Sequence, residues 1–147
     1  MKKVFAMMLA MTIGFGMVSC NSDDDDGVNT PQFTIHGIWK VTQIFINGVE
    51  HNVNDYCPYK GSFQFISGGT YVENGFELVE SNCIASDPVG GTWTKNGNTY
   101  TLTLNAGATS SVLPNSFSPI VDSQNINMFE LNLSAGGIPT RLVFTKQ

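Results

Sequence analysis

Apolar and polar residues alternate in short runs along most of the chain. The run at 99–104 alternates strictly, with Tyr100, Leu102 and Leu104 on one face. Because successive side chains of a β-strand point to opposite faces, each such run predicts a strand that is buried on one side. Comparable β-branched and aromatic runs recur at residues 37–46, 62–66, 70–73, 76–80, 91–95, 128–133 and 141–145.

Asparagine–glycine and glycine–glycine pairs separate several of these runs, at residues 47–48, 68–69, 96–97 and 136–137. Such pairs adopt positive φ readily and form the tight turns of β-hairpins. No stretch shows a sustained helical period. Residues 33–147 are therefore predicted to form an all-β domain, a small antiparallel up-and-down barrel in which closure removes exposed edge strands. A β-sandwich is the alternative.

The start of the chain has a different pattern. A pair of lysines precedes an uncharged apolar run at residues 4–18, and Ser19 and Cys20 end it. A basic start, a short apolar run and a small residue before the cleavage site describe a secretory signal peptide. The run is shorter than the ~20 apolar residues that span a bilayer. We therefore expect residues 1–19 to be removed on export.

The segment Met17-Val18-Ser19-Cys20 resembles the lipobox of bacterial lipoproteins, in which the cysteine carries the lipid and becomes the new N-terminus. This resemblance implies lipidation of Cys20 with acyl chains such as palmitate. Each buried methylene of an acyl chain contributes ~0.8 kcal/mol, so several chains hold a soluble domain at a membrane. The membrane is therefore an expected partner, reached through the lipid anchor.

Four consecutive aspartates, residues 23–26, follow the expected lipidation site. Because adjacent like charges repel and stay solvated, residues 20–32 are predicted to be a disordered linker. The aspartate run also resembles the acidic export signal of surface lipoproteins in Bacteroidota. That resemblance implies an outer-membrane protein that is exposed at the cell surface, with the run acting as a receptor-read address.

Composition and motifs exclude several function classes. Without the two lysines of the leader, five basic residues remain against twelve acidic ones, a net charge of about −7. Nucleic acid is therefore not an expected partner. The sequence lacks the common hydrolase, metalloprotease and phosphate-loop motifs, and His36 and His51 are expected at the surface. We expect no catalytic residues, cofactor or metal, and thus no enzyme. Three carboxylates are expected on a solvated face: Glu73, Glu77 and Glu80.

Two cysteines remain once Cys20 is assigned to the lipid. In the oxidising compartment that export implies, Cys57 and Cys83 are predicted to form a disulfide. Their separation of 26 positions corresponds to about 3.5 kcal/mol in the chain-entropy model. Two free buried thiols or a metal-binding pair are the alternatives, although no nearby residue completes a tetrahedral site.

An ordered series of motifs occurs between the first strand and the last: Gly37-Ile38-Trp39, Cys57, Lys60, Phe63, Phe65, Gly69-Thr70-Tyr71, Cys83, Gly91-Thr92-Trp93, Tyr100-Thr101-Leu102 and Arg141. This series resembles the lipocalin-like domain of Bacteroidota lipoproteins. In lipocalins a basic residue of a late strand packs across the first-strand tryptophan at the closed end of the barrel. The resemblance therefore implies that Arg141 covers Trp39, a cation–π contact worth ~0.5–2 kcal/mol.

An eight-stranded barrel either encloses one small ligand or is filled by its own side chains. We expect the barrel of this lipoprotein to bind a small hydrophobic or amphipathic molecule. The alternative is a non-enzymatic interaction module, in which the barrel is solid and its loops contact an envelope protein or a glycan. Bulky inward residues would favour the module, and small ones at one mouth would favour the ligand. The candidate lining residues are Phe63, Phe65, Tyr71, Trp93 and Tyr100.

Overall fold

The computed structural model describes residues 32–147, so the predicted signal peptide, Cys20 and the aspartate run lie outside the described residues. The described strands are β1 (Gly37–Ile46), β2 (Val49–His51), β3 (Ser62–Ile66), β4 (Thr70–Asn74), β5 (Phe76–Val79), β6 (Asn82–Ala85), β7 (Val89–Asn96), β8 (Thr99–Leu104), β9 (Ser116–Phe117), β10 (Met128–Ala135) and β11 (Ile138–Lys146). Two short 3-10 turns, Val53–Asp55 and Cys57–Lys60, connect β2 to β3. None of the helices in this part of the chain has the length and hydropathy needed to cross a membrane.

Eight strands form an antiparallel sheet in the order β10-β11-β1-β3-β4-β7-β8-β9, and β2 pairs with the end of β1. One bridge between Ile120 and Glu130 joins the chain after β9 to β10, so the sheet nearly closes on itself. Closure pairs the backbone groups that an open edge would expose. The prediction of a small antiparallel up-and-down barrel is confirmed, and the β-sandwich alternative is wrong.

The hairpin turns lie where the glycine pairs predict them. Asn47 and Gly48, between β1 and β2, have φ values of 50° and 79°, the left-handed region that these residue types tolerate best. The turn between β5 and β6 is different, because Glu80 and Ser81 have φ values of 48° and 68°. Longer side chains in this region are disfavoured by about 1–2 kcal/mol per residue, so the surrounding structure must hold this turn in place.

Strands β5 and β6 form a separate two-stranded sheet beside the barrel. A disulfide ties this hairpin to the turn Cys57–Lys60, because Cys57 and Cys83 are bonded with an S–S distance of 2.08 Å and a Cα–Cα distance of 5.5 Å. The predicted disulfide is confirmed, and the free-thiol and metal-pair alternatives are wrong. The crosslink fixes the position of a hairpin that the barrel sheet does not hold by strand pairing.

The barrel interior contains the inward residues of alternating strands. Fully buried aromatic side chains contribute most of the core, each worth roughly 1.5–3 kcal/mol relative to an exposed position. The buried aromatic residues of the core are Trp39, Phe63, Phe65, Tyr71, Tyr100, Phe117, Phe129 and Phe144. Aliphatic side chains from β1, β8, β10 and β11 pack between them, including Val41, Ile44, Leu102, Leu131 and Leu142.

Candidate functional site

One end of the barrel is filled by aromatic side chains, and we call it the closed end. Trp39 near the start of β1 is 0% exposed, and its indole N–H donates to the Ile35 carbonyl at 2.6 Å. Phe33 and Phe129 lie with their ring centroids 5.9 and 4.8 Å from that of Trp39. Residues 33–36 therefore pack across this end and leave the Trp39 indole enclosed.

The five aromatic residues predicted to line the barrel face inward, and most of them contact one another. The ring centroid of Phe65 is 5.2 Å from that of Tyr71 and 6.0 Å from that of Trp93, and Trp93 is 5.9 Å from Tyr100. Phe63 packs instead against Phe144. All except the half-buried Trp93 are at most 1% exposed. These rings form packed core at the closed end, and their role in lining a ligand site stays a prediction.

Arg141 does not cover Trp39, so that expectation is wrong. Its guanidinium carbon lies 3.8 Å from the ring centroid of Phe45, and its Nη1 donates to Glu130 at 2.9 Å. The cation over Trp39 is Lys146, whose ammonium is 5.6 Å from the ring centroid. Strand register explains why Lys146 rather than Arg141 covers Trp39. The antiparallel β1–β11 ladder places Trp39 opposite Lys146 and Phe45 opposite Arg141.

The opposite end of the barrel has smaller and less buried inward side chains, and we call it the open end. Ile46, Leu104 and Leu133, near the ends of β1, β8 and β10, are only half-buried although they pack against the core. Thr140 of β11 lies between two of them, opposite Ile46 on one side and Leu133 on the other. An incomplete apolar ring therefore surrounds this end.

Two glycines near the open end are required by close backbone approach. A Cβ at Gly91 would lie 2.5 Å from the Thr103 carbonyl oxygen and 2.9 Å from the Leu104 Cα. A Cβ at Gly61 would lie 2.6 Å from the carbonyl oxygen of Asn74. These neighbours are backbone atoms, which cannot move aside as the end of a flexible side chain would. The narrow strand spacing thus keeps small residues at this end.

A buried carboxylate lies among these small residues. Glu73 is 1% exposed, so the expectation that it occupies a solvated face is wrong, whereas Glu77 and Glu80 are exposed. Tyr71 donates its hydroxyl to Glu73 Oε2 at 2.8 Å, and the Ser111 backbone N–H donates to Oε1 at 2.9 Å. The Ser111 hydroxyl donates to the same oxygen. Both carboxyl oxygens are therefore hydrogen-bonded, as buried polar groups generally are in folded proteins.

The sequence model of the lipocalin-like domain family matches residues 35–131, well over half of the chain. The chain belongs to the lipocalin-like domain family. The match runs from the segment that packs across the closed end, through the barrel strands, to β10. Membership agrees with the fold and with the resemblance that the order of motifs indicates.

Two solved structures are similar to this lipocalin-like chain. A lipocalin-like protein from Bacteroides uniformis ATCC 8492 has a TM-score of 0.50 and 14% identity, covering 76% of this chain and 97% of its own. An uncharacterized protein from Bacteroides eggerthii DSM 20697 has a TM-score of 0.47 and 15% identity, covering 76% and 98%. At such low identity the first likeness shows the fold alone. No curated protein matches the chain.

The hydrogen bonds of Glu73 also attach a loop to the lipocalin-like barrel. Burial raises the pKa of the Tyr71 hydroxyl far above its usual range, and the adjacent Glu73 carboxylate raises it further, so this hydroxyl stays protonated and donates. Ser111 belongs to the loop between β8 and β9, and Leu113 of the same loop is 4% exposed. The loop therefore covers part of the open end, and Glu73 holds it there.

Sequence reasoning missed Glu73 although a signal for it was present. Glu73 follows Tyr71 by two positions on β4, and the period of a strand places both on the inward face. The histidines lie elsewhere: His36 is exposed, while His51 is half-buried and hydrogen-bonds the Tyr56 hydroxyl at 3.2 Å. The expected surface position thus holds fully for His36 and only in part for His51.

Proposed function

We propose that the protein is a surface-exposed outer-membrane lipoprotein whose lipocalin-like barrel binds a small hydrophobic or amphipathic molecule through its open end. The observation that carries this proposal is the unequal filling of the two barrel ends. Edge-to-face and tilted aromatic rings enclose Trp39 at the closed end, whereas glycines, Thr140 and half-buried aliphatic side chains surround the open end.

The chemistry of the open end suits an amphipathic ligand. Small-molecule sites are mostly apolar, with a few polar groups that orient the ligand. Ile46, Leu104 and Leu133 offer apolar surface that is still partly in contact with water. Covering such surface is favourable by about 25 cal/mol per Å². Glu73 and Tyr71 already satisfy one another, so we expect the polar part of the ligand to remain near the mouth.

Binding at the open end predicts a selective effect of charge at the mouth. Leu133→Glu should weaken the binding of an environment-sensitive fluorescent fatty acid about tenfold or more, because a carboxylate must then be desolvated against the ligand. Ile138→Glu is the matched control, since Ile138 is 46% exposed on the neighbouring strand. Fluorescence titration measures both variants, with circular dichroism to verify folding. Equal binding by the two variants would contradict the proposal.

The interaction module is the second candidate, and a specific observation favours it. The five aromatic residues predicted to line a cavity are packed against one another or against Phe144. Native mass spectrometry of protein purified from cells separates the two functions. A reproducible bound mass supports a carrier, whereas no bound mass and no response to lipophilic dyes supports a module whose loops contact an envelope protein or a glycan. Both proposals are non-enzymatic, and neither involves nucleic acid.

The proposed location rests on the lipobox resemblance at Cys20 and on the aspartate run that follows it. We predict that replacing Asp23, Asp24, Asp25 and Asp26 by alanine leaves the protein lipidated but protected from protease added to whole cells. The reason is that a receptor would no longer read the acidic address. Mass spectrometry of the N-terminus and immunoblotting after proteolysis measure the two effects. If the variant is cleaved as fast as the parent, the run is only a spacer.

A further inference from the structure

A pocket lies outside the barrel, between the β5–β6 hairpin and the two 3-10 turns. Its volume is about 440 Å³, within the range of about 300–1,000 Å³ that is usual for small-ligand sites. Both disulfide cysteines line it, so the crosslink that holds the hairpin also builds the pocket wall. We call it the hairpin pocket.

The apolar part of the hairpin pocket is formed by Tyr56, Pro58 and Leu78. Leu78 is 68% exposed, although burying a large aliphatic side chain away from water lowers the free energy of the protein. Tyr56 is half-buried, and its hydroxyl is hydrogen-bonded to His51 Nδ1 at 3.2 Å. The pocket therefore contains an oriented aromatic ring and a flanking aliphatic group that a ligand could cover.

The polar part of the hairpin pocket carries one charge of each sign, on Asp55 and Lys60. Within residues 32–147 the one ion pair is that of Arg141 with Glu130, so neither charge is paired there. The side chains of Asp55 and Lys60 also make no hydrogen bond to another described residue. Their ionic and hydrogen-bonding capacity is thus available to a ligand.

The hairpin tip contributes Ser81, which lines the same pocket. Its φ of 68° and the φ of 48° at Glu80 are costly for residues other than glycine and asparagine. Strained residues of this kind persist where the surrounding structure holds them, and they cluster at ligand sites. The strained turn is therefore a second feature, independent of the charges, that distinguishes this pocket from ordinary surface.

We propose that the hairpin pocket binds a zwitterionic ligand with an aliphatic side chain, a free amino acid. The ligand ammonium pairs with Asp55, the ligand carboxylate pairs with Lys60, and the aliphatic side chain covers Leu78. An ion of single sign would meet one like charge. A neutral saccharide would cover two charges without compensating either, which is unfavourable. The site is separate from the open end of the barrel and does not depend on ligand binding there.

Charge-deleted ligands and charge-deleted variants test this proposal together. Isothermal titration of the purified protein should show saturable binding of L-leucine, and binding about tenfold or more weaker for N-acetyl-L-leucine and L-leucinamide. Asp55→Asn should weaken the binding of L-leucine to a similar degree. It should leave the binding of N-acetyl-L-leucine unchanged, because that ligand has no ammonium. Lys60→Gln should weaken the binding of L-leucine. It should leave the binding of L-leucinamide unchanged, because that ligand has no carboxylate.

Two exposed residues away from the pocket supply the controls. Asp87→Asn and Lys40→Gln remove the same charges, so they should leave L-leucine binding unchanged and exclude an effect of net charge alone. The proposal is overturned if L-leucine does not saturate up to about 10 mM, if the two analogues bind as well as L-leucine, or if Asp55→Asn and Lys60→Gln match their controls. Tighter binding of D-glucose than of L-leucine would assign the pocket to a saccharide instead.

Discussion

Trp39→Ala is expected to lower the free energy of unfolding by about 3–5 kcal/mol, the range that removal of a buried Trp or Phe side chain produces. The indole is 0% exposed and its ring packs against those of Phe33 and Phe129. Removing it leaves a cavity at the closed end and deprives the Ile35 carbonyl of its donor. Since residues 33–36 pack across this end, their attachment to the barrel should weaken as well.

Chemical denaturation followed by circular dichroism measures this change in the free energy of unfolding. Two further variants separate the contribution of the indole N–H from that of ring packing and provide an exposed control. Trp39→Phe keeps an aromatic ring but removes the indole N–H, so it should cost about 1–3 kcal/mol through the unpaired Ile35 carbonyl. Ile38→Ala changes the adjacent residue, which is 41% exposed, and should cost within about 0.5 kcal/mol. A Trp39→Ala effect as small as that of Ile38→Ala would show that the closed end is not a packed core.

The barrel strands with a clear alternating pattern could be predicted from sequence. Tyr100, Leu102 and Leu104 in β8 show why, since a period of two over six residues has one face to bury. Strand β9 could not be predicted, because Ser116–Phe117 is two residues long and lies between prolines. Its pairing with β8 is determined by the barrel as a whole rather than by its own residues.

The candidate site, too, could be predicted only where local pattern is sufficient. Inward orientation of the aromatic residues follows from strand period, and it was predicted. The partner of Arg141 depends on strand register, which local pattern does not contain: β11 begins opposite the end of β1, so Arg141 meets Phe45 and Lys146 meets Trp39. Pattern also underestimates buried polar residues, because the cost of burying Glu73 is offset by donors that include Ser111, 38 positions away.

The disulfide was predictable from sequence, whereas the pocket that it builds was not. Two cysteines in a domain that is expected to be exported predict a crosslink without any knowledge of what it joins. The structure shows that Cys57 lies in a 3-10 turn and that Cys83 lies on a hairpin outside the barrel sheet. The run at residues 76–80 was expected as a strand, but its position outside the barrel sheet, paired with β6 alone, could not be predicted from its own residues.

Replacing both Cys57 and Cys83 by alanine is expected to lower the free energy of unfolding by about 3.5 kcal/mol, the chain-entropy value for their separation of 26 positions. Cys57 is 7% exposed, so its smaller replacement also loses some packing. Thermal and urea unfolding should show this loss. A reducing agent should destabilise the parent protein by a comparable amount and should leave the double variant unchanged.

The loss should also be uneven across the molecule, because the disulfide holds an element that the barrel sheet does not pair with. Amides of β5 and β6 should exchange hydrogen much faster in the double variant even where the barrel remains folded, whereas those of β1 and β11 should exchange only as global stability dictates. Uniform acceleration would mean that the hairpin and barrel unfold as one unit. Unchanged exchange in β5 and β6 would mean that packing against the turn Cys57–Lys60 holds the hairpin without the crosslink.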